Sequence, residues 1–434
     1  MPDHPSTVKL TILILISAFL GSCTTLKISP VGKNIDSEMK QIGVFDEHFT
    51  GVAIYDPQKQ DWLYRKNSSR YFTPASNTKL LTYYASLVTL DDYLASLQYE
   101  IRNDTLYFTG MGDPTFLHRD FPEQRAFNFL QNQDSTITYV YVADDPRDKF
   151  GAGWAWDDYN YDFQPEMSGL PIYGNIVNIA QGDSTLSVTP SFFEDFVEIT
   201  EDESIRRDRN YNHFIAGSQN DSEEVDRPFI TSPALVTQLL GDTLDRKIYK
   251  TDSHLFENGQ ILSGTRSKWL YQIMMLRSDN FFAEQLLLMG SKKKSFGWET
   301  DKYRYHILSK YLNDLPQPII WQDGSGLSRY NLVTPESMVS LLLKIEEEAG
   351  FETIKQTFPV GGVSGTIRKW YSADEPYIYA KTGTLSNNHN LSGFLITRSG
   401  KRLVFSLMNN NYIRTSAEIK EAMQQLLEFL RDNY

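Results

Sequence analysis

The sequence predicts a mixed α/β (α+β) protein in which an antiparallel sheet flanked by helices is interrupted by a mainly β insertion. Three observations lead to this prediction: strand-hairpin patterns lie near both ends of the chain, an apolar helical stripe closes it, and short β-type runs fill its middle. At 434 residues the chain is too long for one compact core, so two or three domains are expected.

The outer parts of the chain carry the sheet and helix patterns. Strand-like runs joined by turn residues predict one hairpin over 51–65 and another over 391–408. Helical patterns are predicted over 77–90, 266–290 and 416–430. The last of these places five apolar side chains on one face, which should pack on the sheet: Ile419, Met423, Leu426, Leu427 and Leu430.

The middle of the chain has a different texture. Short β-type runs such as 136–142 and 184–188 are separated by turn residues. We therefore predict that residues 46–97 and 263–434 form one domain, and that 98–262 form a mainly β insertion of one or two subdomains.

The charge balance argues against a nucleic-acid-binding protein, and the cysteine and histidine content argues against a metal site. The chain carries 42 basic and 55 acidic residues, whereas a nucleic-acid-binding protein would present a basic face. One cysteine cannot form a disulfide framework or a cysteine-based metal site, and the seven histidines lack a spacing such as His-Glu-x-x-His. We predict no metal, no cofactor and no nucleic-acid partner.

The N-terminus resembles a lipoprotein export signal. An apolar run over 10–20, too short to span a bilayer, leads into Leu20-Gly21-Ser22-Cys23, which resembles a lipobox. We expect residues 1–22 to be a signal peptide, Cys23 to be lipidated, and 23–45 to be a polar tether to a membrane. The alternatives are a plain signal peptide and a single anchor helix with an incidental cysteine.

The first motif that can carry chemistry is Ser76-Asn77-Thr78-Lys79, at the predicted start of a helix. Positions i and i+3 share a helical face, so the Lys79 amine can reach the Ser76 hydroxyl. A serine is a weak nucleophile without a base, and a lysine whose pKa is lowered by burial can be that base. The alternative is that Ser76 is a helix N-cap, and Ser-x-x-Lys recurs at Ser37 and Ser291.

The second motif is Ser278-Asp279-Asn280, at a break between two helical stretches. The Ser278 hydroxyl could relay a proton between the base and a leaving amine. The Asn280 amide could bind a substrate amide and the Lys79 ammonium. The alternative is a polar helix cap or turn.

The third motif, Lys381-Thr382-Gly383-Thr384, follows a strand-like run. On an edge strand, Lys381 and Thr382 could hold a carboxylate, and Gly383 would leave room for an extended peptide to pair with the strand. The backbone N–H of Thr384 could join that of Ser76 in an oxyanion hole. The alternative is an ordinary β-turn.

The order of the three motifs resembles that of penicillin-recognising serine enzymes. The gap from Ser76 to Ser278 is nearly twice that from Ser278 to Lys381. A long first gap filled by a mainly β insertion resembles the DacB-type D-alanyl-D-alanine carboxypeptidases/endopeptidases, the class C low-molecular-mass penicillin-binding proteins. Further strings resemble this family: Gly110-Met-Gly-Asp-Pro-Thr115, the Trp-rich stretch 151–158 with Ala152 where proline is usual, Asp323–Arg329, Ser364–Arg368 and Ala380–Leu385.

The resemblance implies a transpeptidase-like catalytic domain and an envelope enzyme facing the periplasm. Such an enzyme acts on peptidoglycan stem peptides through an acyl-enzyme and is inhibited covalently by β-lactams. By the same resemblance Ser76 is the nucleophile and Lys79 its base, while Ser278 and Asn280 complete the proton network. Residues 381–384 bind the substrate terminus and the oxyanion, and the Gly/Ser string at 324–328 is interpreted as a structural turn.

Two other functions stay open. A β-lactamase or esterase would need a dedicated base for deacylation, which the sequence does not identify. A non-catalytic envelope binding protein would be expected to lose motif residues, and all are present. Within the insertion, Asp157 and Asp158 could pair with a cationic group of a stem peptide, or they could simply cap a turn.

Overall fold

A computed structural model describes residues 30–141, 146, 148–182, 185–200, 205–217 and 224–434. The predicted signal peptide, Cys23 and the first residues of the expected tether lie outside these ranges. None of the helices in the described ranges is long and apolar enough to cross a membrane.

Helices and strands follow the order that the sequence patterns predict. The helices are α1 (Pro30–Ile42), α2 (Lys79–Leu87), α3 (Arg125–Gln131), α4 (Pro233–Leu244), α5 (Ser267–Arg277), α6 (Asn280–Lys293), α7 (Thr300–Tyr311), α8 (Pro335–Ala349), α9 (Phe351–Thr357) and α10 (Ser416–Asn433). The strands are β1 (Phe49–Asp56), β2 (Asp61–Lys66), β3 (Tyr93–Arg102), β4 (Thr105–Gly110), β5 (Thr136–Val140), β6 (Ile176–Gly182), β7 (Thr185–Thr189), β8 (Val197–Thr200), β9 (Arg206–Arg207), β10 (Phe214–Gly217), β11 (Glu224–Pro228), β12 (Tyr249–Thr251), β13 (Gln260–Arg266), β14 (Ile378–Leu385), β15 (Asn388–Ile396) and β16 (Arg402–Asn410).

The two predicted hairpins join in one antiparallel sheet of order β14-β15-β16-β1-β2. Strand β1 pairs with its hairpin partner β2 and also with β16 from the far end of the chain, where Val52 lies opposite Leu407. Strand β14 is left at the edge of this sheet, so the backbone groups along its outer side are available to other parts of the molecule.

Helices cover both faces of this sheet. Along β16, Leu403 and Phe405 point into a core shared with α1 and α10, whereas Val404 and Met408 point into a core shared with α2, α5, α6 and α8. Successive side chains of a strand alternate between faces, so burial of both faces explains its nearly continuous apolar run. The five apolar residues predicted to line one face of α10 are all buried against the sheet.

Residues 30–42 differ from the expected tether, because they form helix α1 and pack on the domain. The side chains of Ile35 and Met39, one helical turn apart, are 0% and 1% exposed. They lie in the same core as α10. A narrow apolar stripe is enough to bury a helix that is otherwise polar.

The insertion has a core and sheets of its own. Its largest sheet has the order β12-β5-β4-β3-β13, and two three-stranded sheets have the orders β11-β6-β7 and β8-β10-β9. Helix α3 is a crossover that makes β4 and β5 parallel, which the expectation of a mainly β insertion did not include. Strands β3 and β13 pair with each other and contain the expected boundaries at 98 and 263, so the sheet reaches a few residues further at both ends.

Replacing Ile35 by alanine should destabilise the protein, because α1 is part of the core. We expect a loss of about 2–5 kcal/mol in the free energy of unfolding, measured by urea titration. The matched control is Lys40→Ala on the exposed side of α1, expected to change it by less than about 0.5 kcal/mol. Equal stability of the two variants would show that α1 does not contribute to the core.

Candidate active site

Ser76 lies in a 3-10 turn, Ala75–Thr78, directly before helix α2. Lys79 Nζ donates a hydrogen bond to Ser76 Oγ at 2.9 Å. Ser76 is half-buried, whereas Lys79 is fully buried. The residue at the N-cap position of α2 is Thr78, so the structure does not bear out the N-cap alternative for Ser76.

The turn before Ser76 is held by the Asp323–Arg329 string. Ala75 has a left-handed backbone with φ of 48°, which an alanine adopts only at a cost of about 1–2 kcal/mol. Gly326 packs on it so closely that a Cβ there would lie 1.9 Å from the Ala75 carbonyl oxygen. The interpretation of this string as a structural turn is consistent with the packing, and the turn also forms a wall of the site.

The Lys79 amine has two further partners. It donates to Asn280 Oδ1 and to the Ser325 carbonyl oxygen, both at 2.7 Å. Together with Ser76 they take the three hydrogens of the ammonium form. When the amine is neutral, Asn280 and Ser325 hold its two hydrogens, and the lone pair faces the Ser76 hydroxyl.

Burial lowers the pKa of Lys79 to about 8, although the nearby carboxylates of Asp279, Glu284 and Asp323 oppose the shift. A substantial fraction of neutral amine is therefore present slightly above neutral pH. This is the protonation state that a general base requires.

The helical stretch predicted over 266–290 is broken at Ser278, where the sequence predicts a break between two helices. Ser278 has φ of 63°, and the Asp279 side chain caps α6 by accepting from the Phe282 N–H at 2.9 Å. The helix-cap alternative is thus correct for Asp279. The break between the two helices also lets the Ser278 side chain reach Lys381 and the Asn280 side chain reach Lys79.

Lys381 lies on the edge strand β14, as predicted. Its Nζ donates to Ser278 Oγ and to the Thr382 carbonyl oxygen, both at 2.8 Å. Burial, together with the charge of Lys79, holds the pKa of Lys381 well below its usual value. An anionic ligand would reverse that shift, since it favours the charged form of the amine. Thr382 shares a 2.7 Å hydrogen bond with Thr366, which comes from the Ser364–Arg368 string.

Gly383 makes a close backbone contact that the sequence did not indicate. A Cβ there would lie 2.2 Å from the Pro74 carbonyl oxygen and 2.8 Å from the Asn77 nitrogen. Glycine therefore lets the edge strand touch the turn that carries Ser76, and Asn77 Nδ2 donates to the Lys381 carbonyl oxygen at 2.9 Å. Thr384 is exposed, and its Oγ1 shares a 2.8 Å hydrogen bond with His389 Nδ1.

Two buried carboxylates beneath the site were missed by sequence reasoning. Glu284 accepts from the Gly324 and Ser325 N–H groups at 2.9 and 2.7 Å, and so fixes the loop whose carbonyl binds Lys79. Asp323 accepts from the backbone of Gly326 and Ser328 and from the side chains of Asn331 and Trp154. Only the i, i+4 spacing of Asn280 and Glu284 on α6 could have indicated the first.

The insertion contacts both Asn280 and the loop that carries Asp323. Trp154 Nε1 donates to Asp323 Oδ2 at 2.8 Å, and Asn280 Nδ2 donates to the Phe163 carbonyl oxygen at 3.0 Å. The second contact orients the Asn280 amide with its oxygen toward Lys79. Asp157 and Asp158 lie between these contacts, in a 3-10 turn over Trp156–Asn160.

The two other Ser-x-x-Lys sequences lie elsewhere. Ser37 is exposed on α1, and Ser291 is buried in α6 without a hydrogen-bond partner for its hydroxyl. Among the residues that the structure covers, no group of three or more His, Cys, Asp or Glu side chains is arranged to hold a metal ion.

The sequence matches the model of a known protein family over most of the chain. A model described as the D-Ala-D-Ala carboxypeptidase 3 (S13) family matches residues 31–209 and 233–433. The D-alanyl-D-alanine carboxypeptidase of Actinomadura sp. is 25% identical over 92% of this chain and 84% of its own length. The D-alanyl-D-alanine carboxypeptidase DacB of Haemophilus influenzae is 31% identical over 41% of this chain and 39% of its own length.

Among solved structures, penicillin binding protein 4 (dacB) from Haemophilus influenzae has the same fold. It superposes with a TM-score of 0.72 at 21% sequence identity, covering 92% of this chain and 98% of that one. The mixed α/β fold with an antiparallel sheet is thereby confirmed.

We predict that the acylation rate depends on pH through the protonation of Lys79, and that replacing Glu284 shifts the midpoint of this dependence. With a neutral Lys79 as base, the rate of acylation by a small penicillin should rise as pH passes about 8 and then level off. Glu284→Gln removes a negative charge that favours the ammonium form, so the midpoint should move to lower pH by about one unit.

The control for this pH profile is Glu336→Gln, a buried carboxylate bonded to Ser68 and Gln317 and outside the site. It should leave the midpoint unchanged. A midpoint that moves equally in both variants, or in neither, would contradict the role of Glu284.

Proposed function

Because the chain belongs to the D-Ala-D-Ala carboxypeptidase 3 (S13) family, we propose that it cleaves peptidoglycan stem peptides with Ser76 as its nucleophile. Membership makes it a serine-type D-alanyl-D-alanine carboxypeptidase, a hydrolase of the cell envelope. The observation that supports the residue assignment is the 2.9 Å contact between Ser76 Oγ and the buried Lys79 amine.

Acylation begins when neutral Lys79 takes the proton of Ser76 Oγ, which attacks the carbonyl carbon of the penultimate D-Ala. The backbone N–H groups of Ser76 and Thr384 stabilise the resulting oxyanion. Collapse breaks the peptide bond, and the leaving amine takes a proton relayed from Lys79 through Ser278. Water then hydrolyses the ester and regenerates Ser76.

Substrate binding uses the edge strand. Lys381 Nζ and Thr382 Oγ1 hold the terminal carboxylate of the substrate, while the Asn280 amide binds a substrate peptide group. An endopeptidase reaction on D-Ala crosslinks uses the same steps with a larger leaving group. A β-lactam acylates Ser76 in the same way, and Haemophilus influenzae penicillin binding protein 4 has been solved in complex with a β-lactam.

The domain assignment follows from these roles. Residues 46–97 and 263–434, with helix α1 packed on them, form the catalytic domain, and the 98–262 insertion supplies selectivity for the peptide. Its contacts through Trp154 and Phe163 support this division. Asp158, two residues from Trp156, is a candidate to bind a cationic group of a stem peptide.

The anchor is a separate proposal. The substrate lies in the cell envelope, and the lipobox-like sequence before Cys23 supports removal of residues 1–22, lipidation of Cys23 and attachment to a membrane on its periplasmic side.

Ser76→Ala should abolish covalent labelling by penicillin, measured by intact mass, because it removes the only atom proposed to form the ester. Ser291→Ala, in another Ser-x-x-Lys sequence, is the matched control and should label like the wild type. An adduct that persists in Ser76→Ala would contradict the assignment. An adduct that the wild type hydrolyses within seconds would indicate a β-lactamase instead.

Lys381→Ala should reduce kcat/KM more for peptides that end in a free D-Ala carboxylate than for the same peptides amidated at the terminus. The difference should be about tenfold or more, since a hydrogen bond to a charged group contributes about 1.5–3 kcal/mol. Equal losses on both substrates would mean that Lys381 does not bind the carboxylate.

Cys23→Ser should release the protein from the membrane fraction or leave its signal peptide uncleaved, as seen by fractionation and mass spectrometry. Two or more acyl chains anchor a protein stably, and serine in this position cannot accept the first of them. Unchanged processing and membrane retention would favour a different anchor.

A further inference from the structure

A cavity of about 350 Å³ lies in the insertion, beside the segment that reaches the catalytic residues. A volume of this size accommodates a small ligand or part of a peptide. Its aromatic and polar walls include Trp154, Trp156, Tyr159, Gln164, Arg207 and Arg209.

Two arginines give this cavity positive charge. The Arg207 guanidinium lies over the Tyr159 ring at 5.2 Å, and Arg209 lies over the Trp156 ring at 4.7 Å. Arg207 donates to backbone carbonyls such as that of Pro228. Within the described ranges neither guanidinium has a carboxylate at salt-bridge distance.

The one acidic residue in the cavity lining, Glu166, offsets only one of these two charges. Glu166 Oε2 accepts from the Thr231 N–H and hydroxyl at 2.8 and 2.6 Å, so this carboxylate oxygen is used by its own scaffold. Two guanidinium groups therefore meet one engaged carboxylate, in a protein whose net charge is −13. Such a local excess of positive charge favours an anionic ligand.

The Gln164 side chain has an unpaired acceptor, so a ligand that fits this cavity should carry a hydrogen-bond donor. It is 2% exposed, and its Nε2 donates to the Ala155 carbonyl oxygen. Its buried Oε1 has no hydrogen-bond partner. A buried amide oxygen without a partner costs about 1–3 kcal/mol, which a ligand N–H can recover.

We propose that this cavity binds an acidic peptide segment, with its carboxylate on Arg209, close to the charge of Arg207, and an N–H on Gln164. Arg209 covers the Trp156 ring with its face, which leaves its edge for bidentate bonds to a carboxylate, whereas Nε and Nη1 of Arg207 already donate to backbone carbonyls. The same stacking occupies the rings that a neutral sugar would need. Taken with the proposed function, the segment is a part of the stem peptide remote from the scissile bond.

The position of Trp154 connects this cavity with catalysis. The same side chain lines the cavity and donates to Asp323, which holds the loop next to Lys79. A peptide that occupies both regions would therefore run along the segment from Trp154 to Phe163.

The test is calorimetric binding of acetyl-L-Ala-D-Glu and of its diamide, neither of which contains a D-Ala-D-Ala bond. The full chain should bind the diacid more tightly than the diamide. Arg209→Gln should weaken diacid binding about tenfold or more. Arg206→Gln removes the same charge from an exposed residue of β9, three positions before Arg209 and outside the cavity lining, and should have little effect.

Three results would overturn the proposal: no binding of the diacid, equal affinity for diacid and diamide, or equal effects of the two arginine variants. Binding of a neutral peptidoglycan disaccharide that depends on Trp156 but not on Arg209 would assign the cavity to the glycan instead.

A kinetic measurement separates this proposal from the proposed function. Arg209→Gln should lower kcat/KM for an acidic stem peptide and leave penicillin acylation unchanged. Diacid binding without any peptide hydrolysis would count against the proposed function alone. Hydrolysis that is indifferent to Arg209, together with absent diacid binding, would count against the cavity alone.

Discussion

The burial of the Lys79 amine is the constraint on which the rest of the site depends. An ammonium group in the interior loses its hydration, so every neighbour must offer an acceptor or favour the neutral form. The neighbours come from three places: Ser76 from its own turn, Asn280 from α6, and the Ser325 carbonyl from the loop after α7. Moving any of these elements would leave the buried amine with one hydrogen-bond partner fewer.

That constraint explains why backbone segments approach one another so closely. Gly326 touches the Ala75 carbonyl, and Gly383 touches Pro74, so a side chain at either position would separate the loop or the edge strand from the nucleophile turn. Glu284 serves the same purpose from below, since it holds two backbone N–H groups of the loop. Its charge also opposes the loss of the proton from Lys79, which links the architecture of the loop to the pH at which this amine becomes neutral.

The insertion contributes hydrogen bonds to the site. Through Phe163 it orients the Asn280 amide, and through Trp154 it binds the carboxylate that organises the catalytic loop. Peptide bound by the insertion can therefore affect the geometry around Lys79, because the two share these hydrogen bonds.

Local patterns in the sequence were sufficient for the hairpins, the buried face of α10 and the three motifs, because these depend on residue type and short spacing. Tertiary structure alone decided the pairing of β1 with β16 and the packing of α1 in place of a tether. It also decided which Ser-x-x-Lys is part of the site. Ser37 and Ser76 have the same local spacing to a lysine, but only in the second motif does the lysine, Lys79, contact Asn280 and Ser325, while Asn77 of that motif contacts the edge strand. The role of Glu284 and the cavity lined by Gln164 and Arg209 could not be predicted from the sequence for the same physical reason. Desolvation and local charge depend on which residues the fold brings together from distant parts of the chain.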